Sequence, residues 1–194
     1  MEIKPGIYKH FKGNLYQVIS VGTHSETEEP MVTYQALYKD CKTFVRPLSM
    51  WTKDRFMLFD INTLDYFFDK VALLSIKDGK VLMARSKGKE HFYVPGGKRE
   101  KGESDVECLK RECQEELNIE IDIDTAFLYG TYTAYSYPDK PPARLIMYQA
   151  KYKGAPSASS EIEEIAWLGY KDRSKAIGGG RILMDELYWK GLIK

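Results

Sequence analysis

GGKREKGESDVECLKRECQEELNI, residues 96–119, sets three glutamates within the five positions from Glu112 to Glu116, just ahead of Leu117-Asn118-Ile119. Ser104-Asp105-Val106-Glu107 has the form of a capping box, which predicts a helix starting at Ser104. Asn118 offers the left-handed residue that ends it after Leu117. At about 100° per residue, Val106, Leu109, Cys113 and Leu117 share one stripe, the expected buried face. Glu112, Glu115 and Glu116 fall within roughly 100° of one another beside that stripe. Like charges one turn apart cost stability, and Lys110 and Arg111 offset only part of it. A solvated acidic face is the ordinary explanation of three helical glutamates, but a cluster at the edge of the core is better explained by a need for negative oxygens. A hard divalent cation such as magnesium takes oxygen ligands, commonly one or two carboxylates together with a substrate's phosphates. Glu103 offers a further oxygen, and the Gly96-Gly97 turn lets a backbone carbonyl approach with no side chain in the way.

Outward from this helix the pattern is mixed. Val71-Ala72-Leu73-Leu74-Ser75-Ile76 and Val81-Leu82-Met83-Ala84-Arg85 flank Asp78-Gly79, a strong hairpin signal. Residues 119–137 and 144–152 alternate as two long antiparallel strands, separated by the proline-stiffened Pro138-Asp139-Lys140-Pro141-Pro142. Ile165-Ala166-Trp167-Leu168 reads as another strand, and residues 181–192 place Leu183, Met184, Leu187 and Tyr188 on one helical face. Gly178-Gly179-Gly180-Arg181 lacks the Gly-Lys-Ser/Thr ending of a P-loop and reads as a flexible lead into that helix.

Upstream, residues 5–59 carry short strand signals at Gly6-Ile7-Tyr8, residues 15–19, residues 31–38 and Thr43-Phe44-Val45-Arg46, punctuated by Lys12-Gly13-Asn14, Glu28-Glu29-Pro30 and Lys39-Asp40. Two units are expected: a small all-β, barrel-like domain at 1–62 and an α/β domain at 63–194. With 29 basic and 28 acidic residues the net charge is +1, so no global field draws the chain to nucleic acid or membrane. No run approaches the length of a spanning helix and Met1-Glu2-Ile3-Lys4-Pro5 is not a signal peptide, so a cytoplasmic location is expected. Cys41, Cys108 and Cys113 form no CxxC pair and read as reduced thiols.

Gly97, Glu103, Arg111, Glu112, Glu115 and Glu116 fall on the fixed positions of G-x(5)-E-x(7)-R-E-U-x-E-E-x-G-U, so the stretch resembles the Nudix box. Asn118 stands in for its second glycine and Cys113 for an aliphatic residue, substitutions that leave a left-handed helix end and a small apolar side chain. The likeness runs from about Asp69 to Lys194, with Tyr93-Val94-Pro95 before the box and Glu161-Ile162-Glu163-Glu164-Ile165-Ala166-Trp167 near the end. It implies an α/β/α sandwich around a mixed sheet and a hydrolase that uses Mg2+ or Mn2+ to cleave the pyrophosphate linkage of a nucleoside diphosphate derivative. By that likeness Glu112, Glu115 and Glu116 bind metal, with Glu103 and the Gly97 carbonyl as additional ligands, and Arg111 orients a neighbouring glutamate. The proton acceptor is left open among Glu112, Glu115 and the loop acids Glu161, Glu163 and Glu164.

Tyr135 and Tyr137 lie where relatives acting on dinucleoside polyphosphates carry a tyrosine, while Ala134 occupies the position of the proline of many ADP-ribose hydrolases. Arg85, Lys87, Lys89, Glu161 and Glu164 complete the candidate substrate contacts; Phe92 and Tyr93 offer ring faces to a base, although core is the better reading of both. A non-catalytic Nudix-type nucleotide sensor is the alternative, and the full set of box acids weighs against it. A small-molecule nucleotide is the expected partner, no membrane is, and homodimerisation stays open. Residues 4–56 resemble a small bacterial domain family of unassigned function. There His10, His24 and Arg46 with Tyr8, Tyr34 and Trp51 are candidates for a polar, aromatic binding surface, and nucleic acid is not excluded as its ligand.

Overall fold

The structure, a computed structural model, describes residues 3–60, 68–135 and 142–194. The expected boundary at 62–63, Tyr137 and most of the proline loop lie outside the described residues. The N-terminal unit is an antiparallel sheet of β1 (Gly6–His10), β2 (Leu15–Thr23), β3 (Pro30–Ala36), β4 (Thr43–Pro47) and β5 (Phe56–Leu58), in the order β4-β3-β2-β1-β5. Registers of Tyr8 with Tyr16, Val18 with Tyr34, Val32 with Arg46 and His10 with Phe56 put these residues on one face. Trp51, from the segment between β4 and β5, caps that face, stacked on Phe56 at 3.8 Å and edge-on to Tyr8 at 5.4 Å. The sheet curls around this aromatic core without closing: β4 and β5 are its two free edges. The barrel-like expectation therefore holds only loosely.

The second unit comprises β6 (Phe68–Leu73), β7 (Ile76–Lys77), β8 (Lys80–Ser86), β9 (Gly96–Gly97), α1 (Asp105–Leu117), β10 (Glu120–Ile121), β11 (Phe127–Ala134), β12 (Ala143–Gln149), β13 (Tyr152–Lys153), β14 (Ile162–Leu168) and α2 (Gly179–Trp189). One sheet runs β11-β12-β6-β9, with β12 parallel to β6 and the other pairs antiparallel; a second runs β14-β8-β7, and β10 pairs with β13. The hairpin signal is met by positive φ at both Asp78 and Gly79. Successive residues of β6 and β8 point to opposite sides, and both sides are covered. Val71, Leu73 and Leu82 pack with Leu109, Cys113 and Leu117 of α1. Ala72, Val81 and Met83 pack with Leu183, Met184 and Leu187 of α2. Burial on both faces explains the unbroken apolar runs, and the result is the expected α/β/α sandwich.

Three local expectations change. On α1 the buried thiol of Cys108, directed at the Gly97 carbonyl, occupies the place expected of Val106, which is only partly buried. Gly179 and Gly180 are the first turn of α2 rather than a flexible lead; a Cβ at Gly179 would overlap Leu145, so close packing selects glycine. Tyr188 is half exposed and stacks on Tyr170 at 3.9 Å instead of entering the core.

The two units touch. Arg181 donates to the Asp40 carboxylate and to the Lys39 carbonyl, both at 3.1 Å, and Arg173 donates to the Asp40 carbonyl at 3.1 Å. The Tyr135 N–H reaches the Leu37 carbonyl at 2.7 Å. Beside these contacts lies a cleft of about 890 Å³, with Tyr38 and Lys39 on one side and Lys89, His91, Tyr135 and Arg181 on the other. Among the described residues no helix is long and apolar enough to cross a membrane.

Candidate active site

Helix α1 begins and ends as its sequence dictates. Ser104 Oγ accepts the Glu107 N–H, the Glu107 carboxylate accepts the Ser104 N–H at 2.8 Å, and Asn118 closes the helix at φ 54° and ψ 36°. These caps fix the rotation of the acidic face against β9. There Gly96 pairs with Ala72 and Gly97 with Val71. The Gly96 N–H donates to Glu116 Oε2 at 2.7 Å, so Glu116 turns inward and is only 2 % exposed. The Glu112 carboxylate lies against Gly97, where any Cβ would overlap it.

Arg111 gathers the remaining box acids. Its Nε and Nη2 hold both oxygens of Glu103 at 2.8 and 3.0 Å, Nη1 reaches Glu112 at 2.9 Å and Glu115 at 3.3 Å, and Nη2 also donates to the Lys98 carbonyl at 3.0 Å. The guanidinium fork thus orients three carboxylates and one carbonyl together. Its hydrogen bonds, with the Glu100 N–H, bring the Glu103 pKa down to about 2. Burial pushes Glu116 the other way, up to about 7, opposed by the Lys70 charge and the Gly96 N–H and reinforced by Glu112 and Glu161. Lys70 on β6 sits with its Nζ 4.0 Å from the centre of the Tyr93 ring. Burial lowers its pKa against the pull of Glu116, Glu112 and Glu161.

Among the described residues no three such side chains converge closely enough to grip an ion in this arrangement. The donors nevertheless suit a hard divalent cation. Glu103, Glu112, Glu115, Glu116 and Glu161 outnumber the cations Arg111 and Lys70 among them, every donor is oxygen, and Gly97 has no Cβ to shield its carbonyl. Glu115, with 54 % of its side chain exposed, is the most open of the acids Arg111 holds.

The other candidate residues separate into groups. Glu163 and Glu164 are held by Arg85, at 2.8 and 2.7 Å, which turns Arg85 toward them. Glu161 accepts from Ser160 Oγ at 2.7 Å, and it is the loop acid whose charge acts on Glu116, Lys70 and Tyr93. Lys87 lies beside it, its N–H bonded to the Glu161 carbonyl and its ammonium to the Ser160 carbonyl. The Tyr93 hydroxyl pairs with Ser86 at 2.6 Å. Phe92 is core. Tyr135 and Lys89 line the cleft between the units.

Sequence reading missed Lys70, whose signal was a lone lysine opening an apolar strand. It also missed a network in which Asp69 takes two bonds from Arg144, at 2.7 and 2.8 Å, and one from Arg99 at 2.6 Å, while Arg99 also pairs with Asp105. No spacing in the sequence announces contacts between residues so far apart.

A family model described as NUDIX domain matches residues 68–185, and one described as Protein of unknown function (DUF1653) matches residues 6–56. An 8-oxo-dGTP diphosphatase of Buchnera aphidicola subsp. Acyrthosiphon pisum (strain APS) is 39% identical over 85 residues, which are 43% of this chain and 64% of that protein. The match thus spans less than two thirds of that relative. Two solved structures share the fold. A MutT NUDIX hydrolase from Burkholderia pseudomallei has a TM-score of 0.53 at 22% identity, covering 62% of this chain and 98% of its own. A MutT protein from Methanosarcina mazei Go1 has a TM-score of 0.54 at 20% identity, covering 66% and 99%. With the NUDIX match spanning more than half of its length and the box acids arrayed on α1 against β9, the chain belongs to the NUDIX domain family.

Proposed function

We propose that this chain is a hydrolase that depends on a divalent metal and cleaves the pyrophosphate linkage of a nucleoside diphosphate derivative, a nucleoside triphosphate or a dinucleoside polyphosphate. The observation that carries this reading is the complete acid set of α1 arranged around Arg111 and the two glycines of β9. The likeness to the Buchnera 8-oxo-dGTP diphosphatase favours a nucleoside triphosphate, including an oxidised one.

Glu112, Glu115 and Glu116 would hold Mg2+ or Mn2+, with Glu103 and the Gly97 carbonyl beside them. When bound, the ion supplies neutralisation of phosphate charge and makes water more acidic. The protein's own groups do the rest. Arg111 keeps Glu103 and Glu112 oriented, so little reorganisation is needed when substrate arrives. Lys70 balances the buried Glu116 and offers a cation to a phosphate oxygen. A carboxylate must take the proton of the attacking water. Arg85 draws Glu163 and Glu164 to itself, which favours Glu161 among those three acids, beside Glu112 and Glu115 on α1.

The test is a phosphate-release screen with magnesium over nucleoside triphosphates including 8-oxo-dGTP, dinucleoside polyphosphates, nucleotide sugars and capped RNA. Turnover of at least one class, abolished in Glu115→Gln, is expected. Tight nucleotide binding with no turnover of any class would instead establish the sensor reading.

A further inference from the structure

The least explained charge in the molecule lies outside the acid cluster. Arg46, on edge strand β4, is partly buried with its guanidinium 5.3 Å from the Tyr34 ring centre and 5.2 Å from that of Phe56. It therefore bridges the open seam between β4 and β5. Among the described residues no carboxylate pairs with it, and its Nε is buried without a hydrogen-bond partner. Trp51, in the same ring cluster and 2 % exposed, likewise has a buried Nε1 without a partner. An N–H donor left in this state costs stability, and more where the group is charged. A lid that served only to close the aromatic core would be cheaper as an apolar side chain.

Its surroundings add to the positive field. His10 lies 4.9 Å from Phe56. Burial lowers the His10 pKa, and the charged groups that reinforce the shift, Lys12, Arg46 and Arg55, are all cations. Apolar ring faces flank the cations. Phe44, 42 % exposed, stacks on Tyr34 at 5.6 Å, and Phe11, 60 % exposed, lies 4.4 Å from His10. Of the residues expected to form a surface here, Tyr8, Tyr34 and Trp51 are instead buried in the aromatic core, and only His10 and Arg46 reach its partly exposed rim. His24 does not: its Nδ1 accepts the N–H groups of Glu26 and Thr27 in an exposed turn.

An unpaired guanidinium selects a planar or tetrahedral oxyanion, and exposed aromatic faces beside cations select a nucleobase attached to it. We infer that the rim of the N-terminal sheet, centred on Arg46 at the β4–β5 seam, binds a phosphorylated nucleoside, either as a free nucleotide or as one residue of a single strand. The site is separate from the acids of α1 and needs no metal, so its test does not depend on hydrolysis.

Full-length protein in EDTA is titrated into a labelled short oligothymidylate and followed by anisotropy, with AMP as competitor. Saturable, salt-sensitive binding is expected. Arg46→Gln should weaken it by about tenfold or more, roughly 1.4 kcal/mol. Phe44→Ser, at a half-exposed position on edge strand β4, should weaken it as well, and Glu115→Gln should leave it unchanged. Displacement by AMP identifies a free nucleotide as sufficient; binding that AMP does not displace identifies the strand. Should Arg46→Gln fail to fold, Phe44→Ser decides. Absence of binding, wild-type binding by both variants, or displacement by polyglutamate as readily as by AMP would overturn the inference.

Discussion

Adjacent glycines in β9 meet opposite kinds of neighbour. Gly96 has φ +134°, and a Cβ there would overlap the carbonyl of Val71, a backbone atom that cannot move aside. At Gly97 the nearest atoms a Cβ would overlap all belong to the Glu112 carboxylate, the end of a side chain that can rotate away. Gly96→Ala should therefore cost stability, about 1–3 kcal/mol or more, and Gly97→Ala should cost mainly turnover. Urea midpoints and kcat/KM measured on both variants check this, and equal stability losses would show that the Glu112 carboxylate has no freedom to move. The acids themselves respond differently. Glu115→Gln and Glu116→Gln each remove a charge from a crowded face, and at Glu116 they also remove a carboxylate that burial disfavours. Each should lower turnover by about a hundredfold or more while leaving the melting temperature unchanged or higher. Near-normal turnover at saturating magnesium would remove that residue from the ligand set.

Four elements meet at Asp69. It ties the start of β6 to Arg144 at the start of β12, and through Arg99, just after β9, to Asp105 in the first turn of α1. Burial raises the Asp69 pKa, but the hydrogen bonds and charges of Arg144 and Arg99 outweigh it and hold the carboxyl below its ordinary 3.8. A carboxylate whose folded-state pKa is depressed stabilises the fold above its ordinary value, and that contribution is lost as pH falls through the folded-state value. Asp69→Asn should thus be less stable than wild type by roughly 1–3 kcal/mol at neutral pH, with the gap closing below about pH 4. Urea unfolding across that range reads the gap directly; a difference independent of pH would mean that the substitution acts through packing alone. This network also marks where sequence stopped being informative. The caps of α1, its acid spacing and the hairpin at Asp78-Gly79 are local, so their chemistry stands in neighbouring residues. Asp69 meets Arg144 only through the parallel pairing of β6 with β12, and Arg99 only through the pairing of β6 with β9, between strands far apart in sequence. Cys108 displaced Val106 from the core for a related reason: the position of β9, not helical periodicity, decides which flank of α1 is covered.

At the scale of the whole molecule, the N-terminal unit has its own aromatic core yet is held to the Nudix domain by polar contacts around Asp40, Leu37 and Gln35. We propose that the units at 1–62 and 63–194 fold separately and that docking shapes the cleft beside Tyr135 rather than the acid cluster, which is built from α1, β6 and β9. A truncated chain beginning at Asn62 loses the acceptor for the Tyr135 N–H and the Lys39 and Asp40 partners of Arg181, but no box residue. It should fold with a lower melting temperature and keep magnesium-dependent hydrolysis of a small nucleotide to within about tenfold, or roughly 1.4 kcal/mol of transition-state stabilisation. Substrates long enough to enter the cleft should suffer more. If Tyr135 stacks on a distal base, Tyr135→Ala in the full-length protein should raise KM for a dinucleoside polyphosphate more than for a mononucleotide, and truncation should reproduce that selectivity. Loss of more than tenfold on the small nucleotide would place residues 1–60 in the wall of the hydrolytic site itself, and equal effects on both substrate lengths would return Tyr135 to a purely structural role.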